Sequence, residues 1–162
     1  MSGEGAGERL QQLWDRIAGY PGGRWLFSRL VGRIIPYSGT IAASIVELAP
    51  GHARVRIRDR RSVRNHLHSI HAIALLNLGE LTTGLALNCG LSSSLRTILV
   101  HVAMDYEKKA RGVITAECRC VQPDDRNEQE LPVTGELRDG TGDVVAVVRA
   151  VWRVGPTAPA AG

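Results

Sequence analysis

The chain has 162 residues and a formal net charge of +4, enough length for one domain with a sizeable core and a charge that suits an anionic ligand, a nucleic acid or a membrane surface without choosing among them. Apolar residues make up 44% and charged residues 22%, ordinary values for a soluble globular protein, and no run of 18 apolar residues exists to span a membrane. The start, MSGEGAGERLQQLW, is polar with early acids and looks like neither a signal nor a transit peptide, while Cys89, Cys118 and Cys120 are an odd number without a CxxC; together these point to reduced thiols in a cytoplasmic protein.

Residues 1–7 and 155–162 are rich in Gly, Ala, Ser and Pro and are expected to be disordered tails. Over 8–19, Leu10, Leu13, Trp14 and Ile17 share one helical face, and Pro21-Gly22-Gly23 stops that helix. A second short helix is expected over 24–34, ended by Pro36. The pair forms a helical prefix, 1–37, that should cover part of a sheet. From Thr40 the period changes. Residues 40–48 read as a strand, Pro50-Gly51 as a turn, and 53–59 as a half-exposed strand with Arg54, Arg56 and Arg58 on its outer face.

Residues 70–88 are apolar nearly all round, the pattern of a helix buried on most sides, with Gly90 able to cap its end. Strands are expected over 96–106, 112–121, 132–139 and 143–154, the last two joined by the hairpin signal Gly140-Thr141-Gly142. One long helix and one antiparallel sheet need each other's apolar faces. The fold class is therefore α+β, with the sheet wrapped round a central helix over 38–154.

Glu80 is the residue most pertinent to chemistry. A carboxylate inside an apolar helix is costly unless something uses it, and burial raises its pKa toward the range of a general base. Its helical neighbours Asn77, Thr83 and Gly84 complete a narrow polar or small stripe, so Asn77 and Thr83 are candidate substrate contacts; the plainer alternative is a stripe facing water or a subunit seam. Asn65 is either a turn residue or an amide that positions water or a carbonyl. His66, His68 and His71 match no zinc spacing, so no metal is expected. Lys108, Lys109 and Arg111 form a solvated turn or a phosphate clamp, with Arg64 a further candidate. Ser92-Ser93-Ser94 lacks the frame of a nucleophile elbow, and Trp14, Trp25 and Trp152 read as packing anchors. Basic residues do not interleave with aromatics, so nucleic acid is not an expected partner.

Asn65, His71 six residues on and Glu80 nine further on, in the segment NHLHSIHAIALLNLGELTTG, resemble the hotdog-fold thioesterases, in particular the phenylacetic-acid-pathway type of acyl-CoA thioesterase. With the helical prefix, the segment is more similar still to the uncharacterised DUF4442 group. The resemblance implies a hotdog fold, a homodimer or dimer of dimers, and hydrolysis of an acyl-CoA or related thioester without a cofactor. It implies Glu80 as base or nucleophile, a backbone N–H from Ala72 at the helix start, and His71, His68 and Asn65 beside the substrate. The sequence departs from the family in four places: Ala72-Ile73 replaces Gly-Gly, Glu80 replaces Asp, His68 replaces Gly, and the Ser or Thr that often assists from the following strand has no clear match, Thr97 being only nearby. A hotdog protein that holds an acyl or aromatic ligand without turnover, and a hydratase or dehydratase of the same fold, are the alternatives.

Overall fold

A computed structural model describes residues 5–123 and 127–157. Two helices, α1 (Ala6–Ile17) and α2 (Gly23–Ile34), lead through the short helical turn α3 (Pro36–Gly39) into a hairpin of β1 (Ser44–Ala49) and β2 (His52–Arg58). After a loop comes the central helix α4 (Ala72–Asn88), then β3 (Leu95–Tyr106), β4 (Val113–Arg119), β5 (Gln129–Arg138) and β6 (Val144–Pro156). The six strands form one antiparallel sheet in the order β1-β2-β4-β5-β6-β3. This is the hotdog arrangement expected from the sequence, with β6 inside the sheet as its apolar composition requires.

The strands alternate, as a sheet with one covered face must. Val55 and Ile57 of β2, Ile114, Ala116 and Cys118 of β4, and Ala146 and Val148 of β6 are buried in the core, along with Leu75, Leu78, Leu85 and Leu87 of α4. The helix comes unusually close at Gly79, where an added Cβ would lie 2.8 Å from Val148 and 2.9 Å from Met104. Only glycine allows α4 to lie on β6 and β3 at that depth.

The helical prefix differs from expectation in two respects. Residues 5–7 are ordered: the Gly5 N–H donates to Glu8 Oε2 at 2.6 Å, the Gly7 carbonyl accepts from the Gly90 N–H at 2.9 Å, and Gly7 packs so tightly that a Cβ would meet the Asn88 carbonyl. The start of α1 is thus pinned to the end of α4. Residues 40–43 are not strand, because Thr40 closes α3 and Ala42 turns the chain with a positive φ of 46°. The prefix also does more than cover a sheet face. Trp14 meets Phe27 edge-on at 5.0 Å between ring centres, tying α1 to α2, and Ser28 of α2 accepts the Ile45 N–H of edge strand β1 at 2.8 Å. At the other terminus, β6 runs on through Pro156, and the Thr157 N–H donates to the Ser94 carbonyl at 2.8 Å. The rest of the expected C-terminal tail, and residues 1–4, lie outside the described residues.

Candidate functional site

Glu80 sits midway along α4 and lines an apolar cleft of about 460 Å³ together with Leu10 and Leu13 of α1, Ile34 and Ile35 at the end of α2, Gly84 and Trp152. The Glu80 side chain is half-buried, and its carboxylate has no hydrogen-bond or ion-pair partner among the described residues. Burial alone pushes its pKa above the usual carboxylate value. An unpaired acid in an apolar cleft is poorly solvated in its charged form and correspondingly basic.

The polar stripe foreseen around Glu80 divides. Asn77 is buried and donates from Nδ2 to the Tyr37 carbonyl at 3.3 Å. Thr83 is fully buried: its hydroxyl donates to the Glu80 carbonyl at 3.0 Å and accepts from the Trp152 indole at 3.3 Å. Both link α4 to other elements, the Asn77 Oδ1 being buried with no hydrogen-bond partner among the described residues, and of the stripe Glu80 and Gly84 line the cleft. The helical period shows which residues share a face, but α4 is covered almost all round, so it cannot show which face opens. Trp152 is both packing anchor and cleft wall: a Cβ on Gly84 would lie 3.1 Å from its ring. One turn beyond, Asn88 donates to the Gly84 carbonyl at 2.8 Å and accepts from the Thr97 hydroxyl at 2.7 Å, so Thr97 braces the end of α4.

The other end of α4 gathers the loop residues. His71 is the N-cap, with extended backbone, and its Nδ1 accepts the Ile73 N–H at 3.1 Å. In the neutral ring that places the proton on Nε2. Ala72 follows as the first helical residue, and its N–H has no acceptor among the described residues. The Tyr106 hydroxyl donates to the Ala72 carbonyl at 2.9 Å and holds that turn against β3. Asn65 organises the preceding loop. Its Oδ1 accepts from the Leu67 N–H at 2.9 Å, the Ser69 N–H at 3.3 Å and the Ser69 hydroxyl at 3.2 Å, leaving only Nδ2 for a ligand. His68 takes the left-handed conformation, φ 55°, which explains why glycine is the common residue there in the resembled family.

Among the described residues no group of three His, Cys, Asp or Glu side chains is placed to hold a metal ion. The cations foreseen as a phosphate clamp are mostly engaged. Lys108 contacts Asp139 and Asp143, each at 2.7 Å, and these pairings hold the Asp139 carboxyl well below its usual range. Arg64 pairs with Asp59 at 2.6 Å, and Arg111 donates to the His68 carbonyl at 3.4 Å. Lys109 is exposed. The sequence did not reveal the Lys108 pairing, because its acids lie far along the chain in the β5–β6 turn. Among the described residues no helix is long and apolar enough to cross a membrane.

A model of the family described as "Domain of unknown function (DUF4442)" matches residues 23–154, beginning at the first residue of α2. No curated protein matches. Among solved structures, the structural-genomics protein APC5556 shares 29% identity over 92% of this chain and 97% of its own, with a TM-score of 0.79. A Pseudomonas aeruginosa protein of unknown function, called a probable thioesterase, shares 24% identity over 85% and 97%, with a TM-score of 0.72. A thioesterase from Haemophilus influenzae is 12% identical over 82% and 92%, with a TM-score of 0.69, a likeness of fold alone.

Proposed function

The chain belongs to the DUF4442 family, and on that premise we propose that it hydrolyses an acyl thioester of the acyl-CoA type to acid and free thiol. The observation that carries this reading is Glu80, a half-buried carboxylate without a partner among the described residues, made more basic by burial in a largely apolar cleft that suits an acyl chain. The names of the P. aeruginosa and H. influenzae neighbours agree with it.

In this mechanism Glu80 takes a proton from water, and the hydroxide oxygen bonds to the thioester carbon. The carbonyl oxygen gains the displaced electron pair and is held by the Ala72 N–H at the positive end of α4. As the carbon–sulfur bond breaks, the thiolate leaves and recovers the proton from Glu80. Direct attack by the carboxylate, with an anhydride then hydrolysed, uses the same groups. The Asn65 loop and the His71 cap position the helix start, and Asn65 Nδ2 is the group left to orient water or substrate.

Ala72 and Glu80 are eight residues apart, about 12 Å along one helix, whereas reacting atoms must come within roughly 3–3.5 Å. One α4 cannot bring both to one carbonyl. Two antiparallel copies of α4 in a two-fold dimer can, each Ala72 facing the other copy's Glu80. The unpaired outer edge of β3 supports such a homodimer.

A second reading has one observation in its favour. Ile73, where the resembled enzymes have glycine, adds a 50% exposed side chain at the residue next to Ala72. A chain obstructed there would bind acyl ligands without hydrolysing them. Thioesterase assays across acyl-CoA chain lengths separate the two. Hydrolysis is expected, with kcat falling about 100-fold or more in Glu80→Gln, the range of general-base removal. Binding without turnover in the wild type, or wild-type turnover in Glu80→Gln, contradicts the hydrolytic assignment.

A further inference from the structure

Most strand arginines in this protein have acid partners. Arg54 meets Glu47 and Glu117, Arg119 meets Glu117, and Arg153 meets Glu130. One groove breaks the pattern. Arg56 and Arg58 on the outer face of β2, Arg60 just after it and Arg24 at the start of α2 line a space of about 440 Å³ whose walls contain no acid. None of the four forms an ion pair among the described residues, and Arg60 donates only to the Thr40 carbonyl at 3.0 Å. Arg56 and Arg60 are half-buried. Four cations along one groove, two of them half-buried, have no acid partner among the described residues, so the groove favours an anion with several negative oxygens.

The groove does not end there. Ala42, Ser44 and Ile45 are shared walls with a second space of about 550 Å³, also without an acid in its lining, which carries Arg29, Arg33 and Trp25. The Trp25 indole is 67% exposed, unusual for so large an apolar group, with the Arg29 guanidinium 5.7 Å from its ring centre. Val31 and Leu81 line this second space and also the Glu80 cleft. Multiple cations in a concave site beside an open aromatic face match a phosphorylated nucleoside, with phosphates on arginine forks and a base on the indole.

We propose that the groove formed by Arg24, Arg56, Arg58 and Arg60 binds the phosphates of a nucleotide, with Trp25 as the surface for its base. Two sources carry that chemistry. One is the nucleotide end of a coenzyme A thioester, reaching past Val31 and Leu81 to the Glu80 cleft; this source rests on the hydrolytic reading above. The other is a free nucleotide that binds whether or not the protein hydrolyses anything.

The test is calorimetric titration of the full chain with ADP, adenosine 3′,5′-bisphosphate and inorganic pyrophosphate. The comparison is with Arg56→Thr/Arg58→Thr, which keeps strand-favouring residues, and separately with Arg24→Gln on the exposed helix face. Thermal melts establish that each variant is folded. Saturable binding of the adenine nucleotides is expected in the wild type, weakened about tenfold or more in the double variant, as loss of charge-assisted bonds implies. Trp25→Leu should weaken the adenine nucleotides several-fold and leave pyrophosphate unchanged. If the nucleotide is the substrate's, KM for an acyl-CoA rises in the double variant; if it is free, ADP binding is lost while KM stays. These binding results hold even if no thioester is hydrolysed. Absence of wild-type binding to all three probes, equal binding in a folded double variant, or capture by anionic lipid vesicles in place of nucleotides overturns the proposal. A loss of pyrophosphate binding equal to that of ADP in Trp25→Leu overturns the role of the indole.

Discussion

The two edges of the sheet are treated in opposite ways. At one edge, β1 is six residues long, bulged between Ile45 and Glu47, and covered by α2, whose Ser28 hydroxyl takes up the Ile45 N–H. At the other, β3 is twelve residues long and pairs with β6 alone. Its outer positions include Ile98 at 61% exposure and Val100 at 40%, with Ile73 and Leu67 also exposed at the start of α4 and in the loop before it. Open edges with apolar side chains invite another chain, and proteins that stay monomeric blunt them. The proposed dimer uses the longer, uncovered edge and leaves the one that α2 seals.

That contrast breaks most visibly if β3 is made repulsive. Ile98→Lys combined with Val100→Lys places like charges at the joint. It should convert the protein to monomer by light scattering and lower thioester turnover about 100-fold, because a site needing two copies loses its general base. Full activity in a monomeric variant would show the open edge to be irrelevant to chemistry. A lysine at Val46 on the sealed edge should leave assembly unchanged.

The pH dependence sharpens the role of Glu80. Its folded pKa is raised by burial, so the native state holds more protons than the unfolded state between the two values. Two consequences follow. Turnover should rise with pH through the folded pKa, which lies above the usual carboxylate value, and the rise should vanish in Glu80→Gln. Ionising Glu80 should also cost stability: Glu80→Gln should melt higher than wild type at neutral pH, with the difference disappearing as pH falls below the unfolded pKa. Parallel melting curves at all pH values would mean that Glu80 is better solvated than its cleft implies.

The sealed edge gives the smallest effect. Ser28→Ala removes the acceptor for the Ile45 N–H and should cost about 1 kcal/mol, the net value of one such bond, or roughly 2–4 °C in Tm for a chain of this size. Dimerisation should not change. A large loss, or a shift toward higher assemblies, would mean that Ser28 rather than the bulk of α2 keeps β1 from pairing.

How much of this was legible in the sequence depended on the range of the interaction. Periodicity located α4 and every strand, since burial on one or both faces leaves its mark in adjacent residues. The half-burial of Glu80 was legible because one acid in an apolar run is conspicuous. The ordering of residues 5–7 was not, because it depends on Gly7 meeting the far end of α4. The partners of Asn77 and Thr83, Tyr37 and Trp152, were not legible because they are distant in the chain. The ion pairs of Lys108 were hidden because Asp139 and Asp143 belong to another hairpin. The arginine groove escaped notice because Arg24, in the prefix, meets β2 only once α2 is folded over β1.

The central claim, one active site built from two chains, is tested most directly by mixing two dead variants. Ala72→Pro removes only the N–H: proline is favoured at the first helical position, and His71 already has the extended backbone that a following proline requires (φ −63°, ψ 140°). Glu80→Gln removes only the carboxylate. Each alone should be inactive. Unfolded and refolded together in equal amounts, half the dimers are mixed, and each mixed dimer holds one site with an intact Ala72 from one chain and an intact Glu80 from the other. Activity should return to about a quarter of wild type, the value set by two-fold symmetry. No recovery in a mixture shown to contain the mixed dimer would place both groups of each site in a single chain and contradict the account.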